Sequence, residues 1–322
     1  MVPVFVSAAA AEAVFSWAEG VTAIEEAYAA PLEPAALPRR TVARGGGSWL
    51  RTLPALPPGR YFGAKLMGMS TTAAPPGVEY VVVLYDRETS RIAAFVDAHH
   101  VTAYRTAATS AAALARLAQP GGMRLAVLGS GLEASMHVRA FRAVREVEEL
   151  VVHSPTPERR AGFAAEFGGR AVDDPRDAVA GASVVLAAAR SRGEVPILHG
   201  DWLEPRAVVV SIGSTVPEQR ELDVSVVEWS DLIVCDDVDE VSNETGDMLE
   251  AAAAGVDFAG RTFSLHALLA GELDERLAAA ERRLFKSVGG GLQDVVVASL
   301  ILERAQAAGL ATPLPIEFLT KR

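Results

Sequence analysis

The sequence predicts an α/β chain whose larger part is a doubly wound parallel sheet, and three observations predict it. An apolar run at 125–128 ends in a glycine turn and continues as an amphipathic helix to Arg145. Short apolar runs then alternate with helical stretches up to the segment FKSVGGG, the order that builds parallel strands with crossover helices. The first third instead carries neighbouring strand-like runs joined by tight turns, which reads as an α+β domain with a mainly antiparallel sheet.

Composition bounds the rest. A chain of 322 residues, 50% of them apolar, can bury a large core and should form about two domains. The net charge of −11 argues against nucleic acid or an anionic membrane as the main partner, since either calls for a basic stripe. No apolar run reaches the roughly 18 residues of a membrane span, and the N-terminus lacks the pattern of a secretion signal, so a cytoplasmic protein is expected. The single cysteine, Cys235, excludes internal disulfides; within DLIVCDD it reads as a buried strand residue. No Cys and His spacing resembles a metal site.

In order, a short strand PVFVS leads into helical periodicity through AAEAVFSWAEGVTAIEEAYAA. A proline-rich turn brings in Arg39 and Arg40, and the glycines at 45–47 suggest a hairpin closing into the strand WLRTLPA. YFGAKLMGMS follows, and then two strands joined by the turn DRETS. A helix from Val101 to Leu117 carries Thr102, Arg105 and Thr106 in its expected first turn. A cation at a helix start opposes the macrodipole, so Arg105 is a candidate for meeting an anion; a solvated surface arginine is the alternative.

The glycine turn then gives each small residue a mechanical job. Gly129 permits the tight turn, Gly131 lets the backbone approach a pyrophosphate, and Ala134 lets the helix pack on the strand. Ser130, Leu132 and Glu133 complete a helix start whose free N–H groups face the anion. The ligand is expected at the strand C-terminal ends, which carry Ser154, Ala189, Ser191, and Gly213, Ser214 and Thr215. At the end of the second strand, VVHSPTPERR, Ser154 occupies the position where a free ribose 2′-hydroxyl usually meets an acid. Thr156 caps the next helix, and Arg159 and Arg160 are within reach. This favours NADP(H) over NAD(H); the alternative is that both arginines are surface charge. DEVSNETGDMLEAAAA reads as one helix with a solvated acidic face, and the chain closes with a strand, a glycine turn and a long helix.

RTAATSAAALARL, LAVLGSGLEASMHVRAF, SIGSTVPEQREL and FKSVGGGLQD, in this order and spacing, resemble the ornithine cyclodeaminase and mu-crystallin family over nearly the whole chain. The resemblance implies a Rossmann domain, 119–295, inserted into an α+β substrate-binding and dimerisation domain, 1–118 plus 296–322, and hence a homodimer. It implies that Arg40 and Arg105 hold a substrate carboxylate, as paired guanidinium forks can. It makes Lys65 the active-site lysine, partly desolvated and able to exchange a proton with the substrate. Thr106, Gly213, Ser214 and Gly289 are implied in cofactor binding, and Gly289–Gly291 with Asp294 match the segment that approaches the nicotinamide. For Asp294, helix-start capping is a compatible bland reading.

One departure matters. Cyclodeaminases of this family carry an aspartate where this chain has Thr215, and a threonine cannot take a proton or pair with an ammonium as a carboxylate does. Arg51 stands where they have a glutamate; it either reads a second anionic group on the substrate or pairs with a neighbouring acid. His99 and His100 match no catalytic residue and read as structural. The reading is an NAD(P)H-dependent reductase of an imino acid carrying a carboxylate, or the reverse dehydrogenase. The alternatives are a cyclodeaminase with bound NAD and a crystallin-like small-ligand binder.

Overall fold

The computed structural model describes residues 2–31, 33–70, 72–73, 77–189 and 193–319. The chain starts β1 (Val4–Val6), α1 (Ala8–Val14), α2 (Trp17–Ala29), β2 (Thr41–Gly45), β3 (Ser48–Ala55), β4 (Tyr61–Ser70), β5 (Gly77–Asp86), β6 (Ile92–Asp97) and α3 (Ala98–Leu117). The alternating part runs β7 (Met123–Leu128), α4 (Leu132–Val144), β8 (Val147–His153), α5 (Pro157–Phe167), β9 (Arg170–Ala171), α6 (Pro175–Val179), β10 (Val184–Ala187), β11 (Val208–Ser211) and α7 (Val224–Trp229). It continues β12 (Leu232–Cys235), α8 (Val238–Glu244), α9 (Gly246–Ala253), β13 (Thr262–Ser264), α10 (Leu265–Leu269), α11 (Asp274–Ala279) and β14 (Arg283–Lys286). Helix α12 (Gly291–Ala307) and β15 (Thr312–Pro313) close the chain. Among the described residues no helix is long and apolar enough to cross a membrane.

Two compact units result, 1–105 with 290–322, and 106–289. Their boundaries fall inside α3 and just before α12, earlier than the ends of these segments expected from sequence. The reason is that α3 is one unbroken helix that takes the chain from the first unit into the second.

The first unit is a seven-stranded mixed sheet in the order β15-β1-β6-β5-β4-β3-β2. β1 lies parallel to β6, while β2 to β6 form an antiparallel meander. Period-two alternation gives each strand one inward face. The register row Leu53, Lys65, Val82 and Val96 is buried on that face, against which α12 packs, with α2 lying on α12. Helix α2 buries Val21, Ile24 and Tyr28, a helical spacing that fixes which side faces in. The single helix expected before residue 30 is two. Phe15 leaves it to stack on Tyr104, ring centroids 4.2 Å apart, and Gly20 makes room, since a Cβ there would lie 2.6 Å from the Phe15 ring.

The second unit is an eight-stranded, wholly parallel sheet in the order β13-β12-β14-β11-β10-β7-β8-β9. The runs VVLA, VVVS and LIVC are buried along their whole length, as strands covered on both faces require. Strand order reverses between β7 and β10, so the crevice for a ligand opens there. This is the predicted doubly wound arrangement.

Two expectations in this unit need correction. The helix expected over 239–254 breaks at Thr245, because the chain at Val216–Gln219 crosses there. A Cβ on Gly246 would meet the carbonyls of Gln219 and Pro217 at 2.2 and 2.6 Å. Its acids are also not all solvated: Glu240 and Asp247 are buried, and Asp247 pairs with Lys286. Cys235 is buried as expected, and burial raises its thiol pKa well above the usual value.

Candidate active site

In the first unit the backbone sets the site before any side chain does. The N-terminus of α12 sits directly on β3: a Cβ on Gly291 would lie 2.6 Å from the Pro54 carbonyl and 2.8 Å from that of Leu53. Only glycine permits that approach. Leu53 pairs with Lys65 across β3 and β4, so the first turns of α12 descend beside Lys65. Asp294 then meets it, with Lys65 Nζ donating to Asp294 Oδ1 at 2.8 Å.

Arg105 joins the same oxygen. Its Nε lies 3.0 Å from Asp294 Oδ1, and its Nη1 donates to Gln293 Oε1 at 2.9 Å. Gln293 Nε2 in turn donates to the Tyr28 hydroxyl at 2.9 Å. Lys65, Asp294, Gln293, Tyr28 and Arg105 are all buried. Two cations on one carboxylate leave a positive charge in excess within this triad while Lys65 is protonated. The other Asp294 oxygen, Oδ2, is buried and makes no hydrogen bond among the described residues. Burial pushes the Lys65 ammonium down to about 8; Asp294 opposes that shift, while Arg105 and Arg51 add to it.

The sequence argument for Arg105 is corrected in its physics. Helix α3 starts at Ala98, so Arg105 lies two turns in, beyond the reach of the helix-start dipole, and Asp294 is what holds it. Asp294 is not a cap either. Gly290 occupies the N-cap of α12, and the Asp294 carboxylate points to two cations instead. Arg51 pairs in register with Met67, two residues from Lys65 and on the same face of the sheet. Arg40 is half-buried in the extended segment before β2, one residue ahead of the Thr41 to Thr52 pair and two strands from Lys65. Gln293 and Tyr28 were missed; Gln293 adjoins Asp294 in the glycine motif, whereas nothing local marks Tyr28.

In the second unit the glycine turn has the expected build. Gly129 has φ +126° and donates to the His153 carbonyl at 2.8 Å, and a Cβ there would strike the Ala188 carbonyl at 2.6 Å. Gly131 is the N-cap of α4, and a Cβ there would meet nothing within 4 Å. The open space over Gly131 and the free helix start fit a dinucleotide pyrophosphate. Leu132 is exposed, Glu133 sits in the first turn, and Ala134 is buried. A cavity of about 770 Å³ adjoins the turn, lined by Gly129, His153, Ser154, Thr156, Arg159, Ala189 and Trp202 among others.

Around that cavity Ser130 Oγ donates to Ser154 Oγ at 2.8 Å, and Ser154 is buried. Thr156 is the N-cap of α5 but makes no side-chain cap bond; Pro157 at the first helical position leaves one fewer N–H to cap. Arg159 is exposed, whereas Arg160 is spent on the Ser154 carbonyl and Asp173. Thr106 is half-buried on α3. Ser191 lies outside the described residues.

The residues just after β10, β11 and β14 are held by carboxylates that sequence reasoning missed. Glu221 accepts from Ala189 N at 3.0 Å, Gly213 N at 2.8 Å and Ser211 Oγ at 2.8 Å. Ser214 Oγ donates to the Gln219 carbonyl, and Thr215 donates from both N and Oγ1 to Gln219 Oε1. Asp236, at the end of β12, accepts from Ser287 Oγ, Val288 N and Gly289 N, fixing the glycine run where Gly289 has φ +80°.

The ketimine reductase mu-crystallin of Mus musculus is 31% identical over 244 residues, 73% of this chain and 72% of that protein. The iminosuccinate reductase of Paracoccus denitrificans (strain Pd 1222) is 31% identical over 246 residues, 73% of each. The solved structure of the iminosuccinate reductase of Paracoccus denitrificans in complex with NAD+ superposes with a TM-score of 0.88 at 25% identity, covering 98% of this chain and 100% of that one. Residues 3–309 match the family described as ornithine cyclodeaminase/mu-crystallin. That match runs from the strands around Lys65 through the glycine turn at Gly129 to α12, and this chain is a member of the ornithine cyclodeaminase/mu-crystallin family.

Proposed function

We propose that the chain is an NAD(P)H-dependent reductase of imino acids, and of amino acids in reverse. The Lys65–Asp294–Arg105 triad carries the reading: a buried proton donor with a pKa near neutrality beside a guanidinium able to take a carboxylate. The nicotinamide, when bound, supplies or accepts the hydride. Arg105, with Arg40, grips the substrate carboxylate and so fixes its α-carbon. Lys65 Nζ gives a proton to the substrate nitrogen as the C=N bond is reduced, and takes one back in the reverse direction. Asp294 holds the Lys65 ammonium through Oδ1, and its Oδ2 accepts from the substrate N–H. Relatives named ketimine, iminosuccinate and pyrroline-2-carboxylate reductases support the same chemistry.

The cofactor we favour is NADP(H). No acid ends β8; Ser154, Thr156 and Arg159 border the cavity there, hydroxyls and a cation suited to a 2′-phosphate. The substrate lacks a basic distal group, because Thr215 replaces the cyclodeaminase aspartate and spends its hydroxyl on Gln219. We further propose a homodimer formed through the outer sheet face of the first unit, where Phe5, Phe95, Val83, Ala64 and Pro54 form one half-buried register row.

The test follows nicotinamide absorbance with NADPH and NADH against cyclic imines and against 2-oxo acids mixed with ammonia or methylamine. Turnover on at least one imine, with a lower KM for NADPH, is expected. Tight binding of cofactor with no consumption on any substrate would overturn the reductase reading. Arg159→Ala should raise the KM for NADPH and leave that for NADH unchanged.

A further inference from the structure

We propose that Glu221 is a positioning residue for the nicotinamide half of the cofactor, a carboxylate latch that ties Ala189, just after β10, to Gly213, just after β11. The proposal rests on the nicotinamide reading of the second unit and goes beyond it by naming the residue that shapes that end of the cleft.

Geometry comes first. The expected ribose position is at the end of β8 and the pyrophosphate position is over Gly129 and Gly131 after β7. A dinucleotide laid across the switch point therefore continues past β10 and β11. Those strands end in Ala187 and Ser211, and the loops that follow carry Ala189 and Gly213. Both loops donate a backbone N–H to one side chain: Ala189 N to Glu221 Oε1 and Gly213 N to Glu221 Oε2. Ser211 Oγ also donates to Oε2. A Cβ on Gly213 would lie 2.3 Å from Glu221 Oε1, so the loop can reach the carboxylate only as glycine.

Glu221 is fully buried, and two charged groups face it: Lys286 from β14 and Asp247 from α9. Lys286 Nζ donates to Asp247 Oδ2 at 2.8 Å and to Ser211 Oγ at 3.1 Å, while Asp247 Oδ1 accepts from the Glu221 and Leu222 N–H groups. Burial, with Asp247 adding to it and Lys286 opposing, raises the Glu221 carboxyl to about 7. Oε2 already accepts two hydrogen bonds, so a proton placed there faces two donors and one must let go. Ala189 and Gly213 are held together while Glu221 is ionised, and one of them is let go when it is protonated.

The test measures dissociation constants of NADH, NADPH and ADP-ribose for the full chain from pH 5.5 to 9, by nicotinamide fluorescence and by calorimetry. For the wild type, affinity for both dinucleotides should weaken about tenfold as pH falls through about 7, the worth of one charge-assisted hydrogen bond. ADP-ribose, which lacks nicotinamide, should show no such inflection. Glu221→Gln should bind dinucleotides at every pH as the wild type does at low pH, with ADP-ribose affinity unchanged. Should that variant fail to fold, Ser211→Ala is the second probe. Losing the Ser211 hydroxyl destabilises the carboxylate, so the inflection should move to higher pH. A dinucleotide affinity independent of pH, an inflection that persists in Glu221→Gln or stays in place in Ser211→Ala, or one shared by ADP-ribose overturns the latch. Failure of dinucleotides and ADP-ribose alike to bind at any pH overturns the nicotinamide reading and the latch with it.

Discussion

In the proposed reductase Lys65 is the proton donor, and its environment gives its pH dependence a definite sign. Reduction needs the ammonium, so kcat/KM for an imine should fall as pH rises above about 8. Oxidation of the amino acid needs the neutral amine and should rise through the same pH. Stopped or continuous assays of both directions over pH 6 to 10 check this; opposite limbs meeting at one pKa are the expected result. Lys65→Ala should lower kcat on the order of 10²–10⁴-fold, the usual worth of a placed general acid. Asp294→Asn keeps an acceptor at Oδ1 but removes the charge that holds the ammonium. The Lys65 limb should therefore move to lower pH, toward the value that burial, Arg105 and Arg51 impose. A limb that stays where it was would separate Asp294 from proton transfer.

Among the elements, α12 decides where Asp294 stands, and Gly291 decides where α12 stands. Adding one methyl group there drives the helix start off the Pro54 and Leu53 carbonyls. Gly291→Ala should destabilise the protein by about 1–3 kcal/mol, as overpacking does. It should also lower kcat by on the order of 10²-fold, the effect of a misplacement of about 1 Å. Calorimetric melting beside steady-state kinetics would show the two losses together, with ADP-ribose binding to the second unit unchanged. Helix α4 has the matching dependence on Gly129, whose φ of +126° and contact with the Ala188 carbonyl leave no room for a side chain. Gly129→Ala should abolish cofactor binding.

At the scale of the whole molecule, the first unit's sheet is two-sided. Leu53, Lys65, Val82 and Val96 face the helices, and the register row displaced by one residue, Pro54, Ala64, Val83 and Phe95, faces the other way with Phe5. Those outward residues are apolar and half-buried in the single chain, a face that a second copy would cover. Light scattering should give twice the 33.9 kDa chain mass, and Val83→Arg should reduce it to the single mass. A wild-type mass of 33.9 kDa would remove the dimer.

Local pattern determined much of this protein. Alternating apolar runs and helices specify the parallel sheet, and Gly129, Gly131 and Ala134 mark its ligand turn, because hydrophobic period and glycine conformation act over a few neighbouring residues. Arg105 could be singled out as a cation near an expected helix start, whereas Lys65 and Thr215 stood out only through the resemblance to the family. Tertiary structure alone decided what those side chains meet. Asp294 reads locally as a capping residue and Asp247 as a solvated acid, yet each is buried against a lysine far away in the chain, at 65 and at 286. Glu221 has nothing in its neighbours to show that it ties two loops together. Burial and charge pairing depend on what the rest of the fold brings within a few ångströms, and no spacing along the chain encodes that distance.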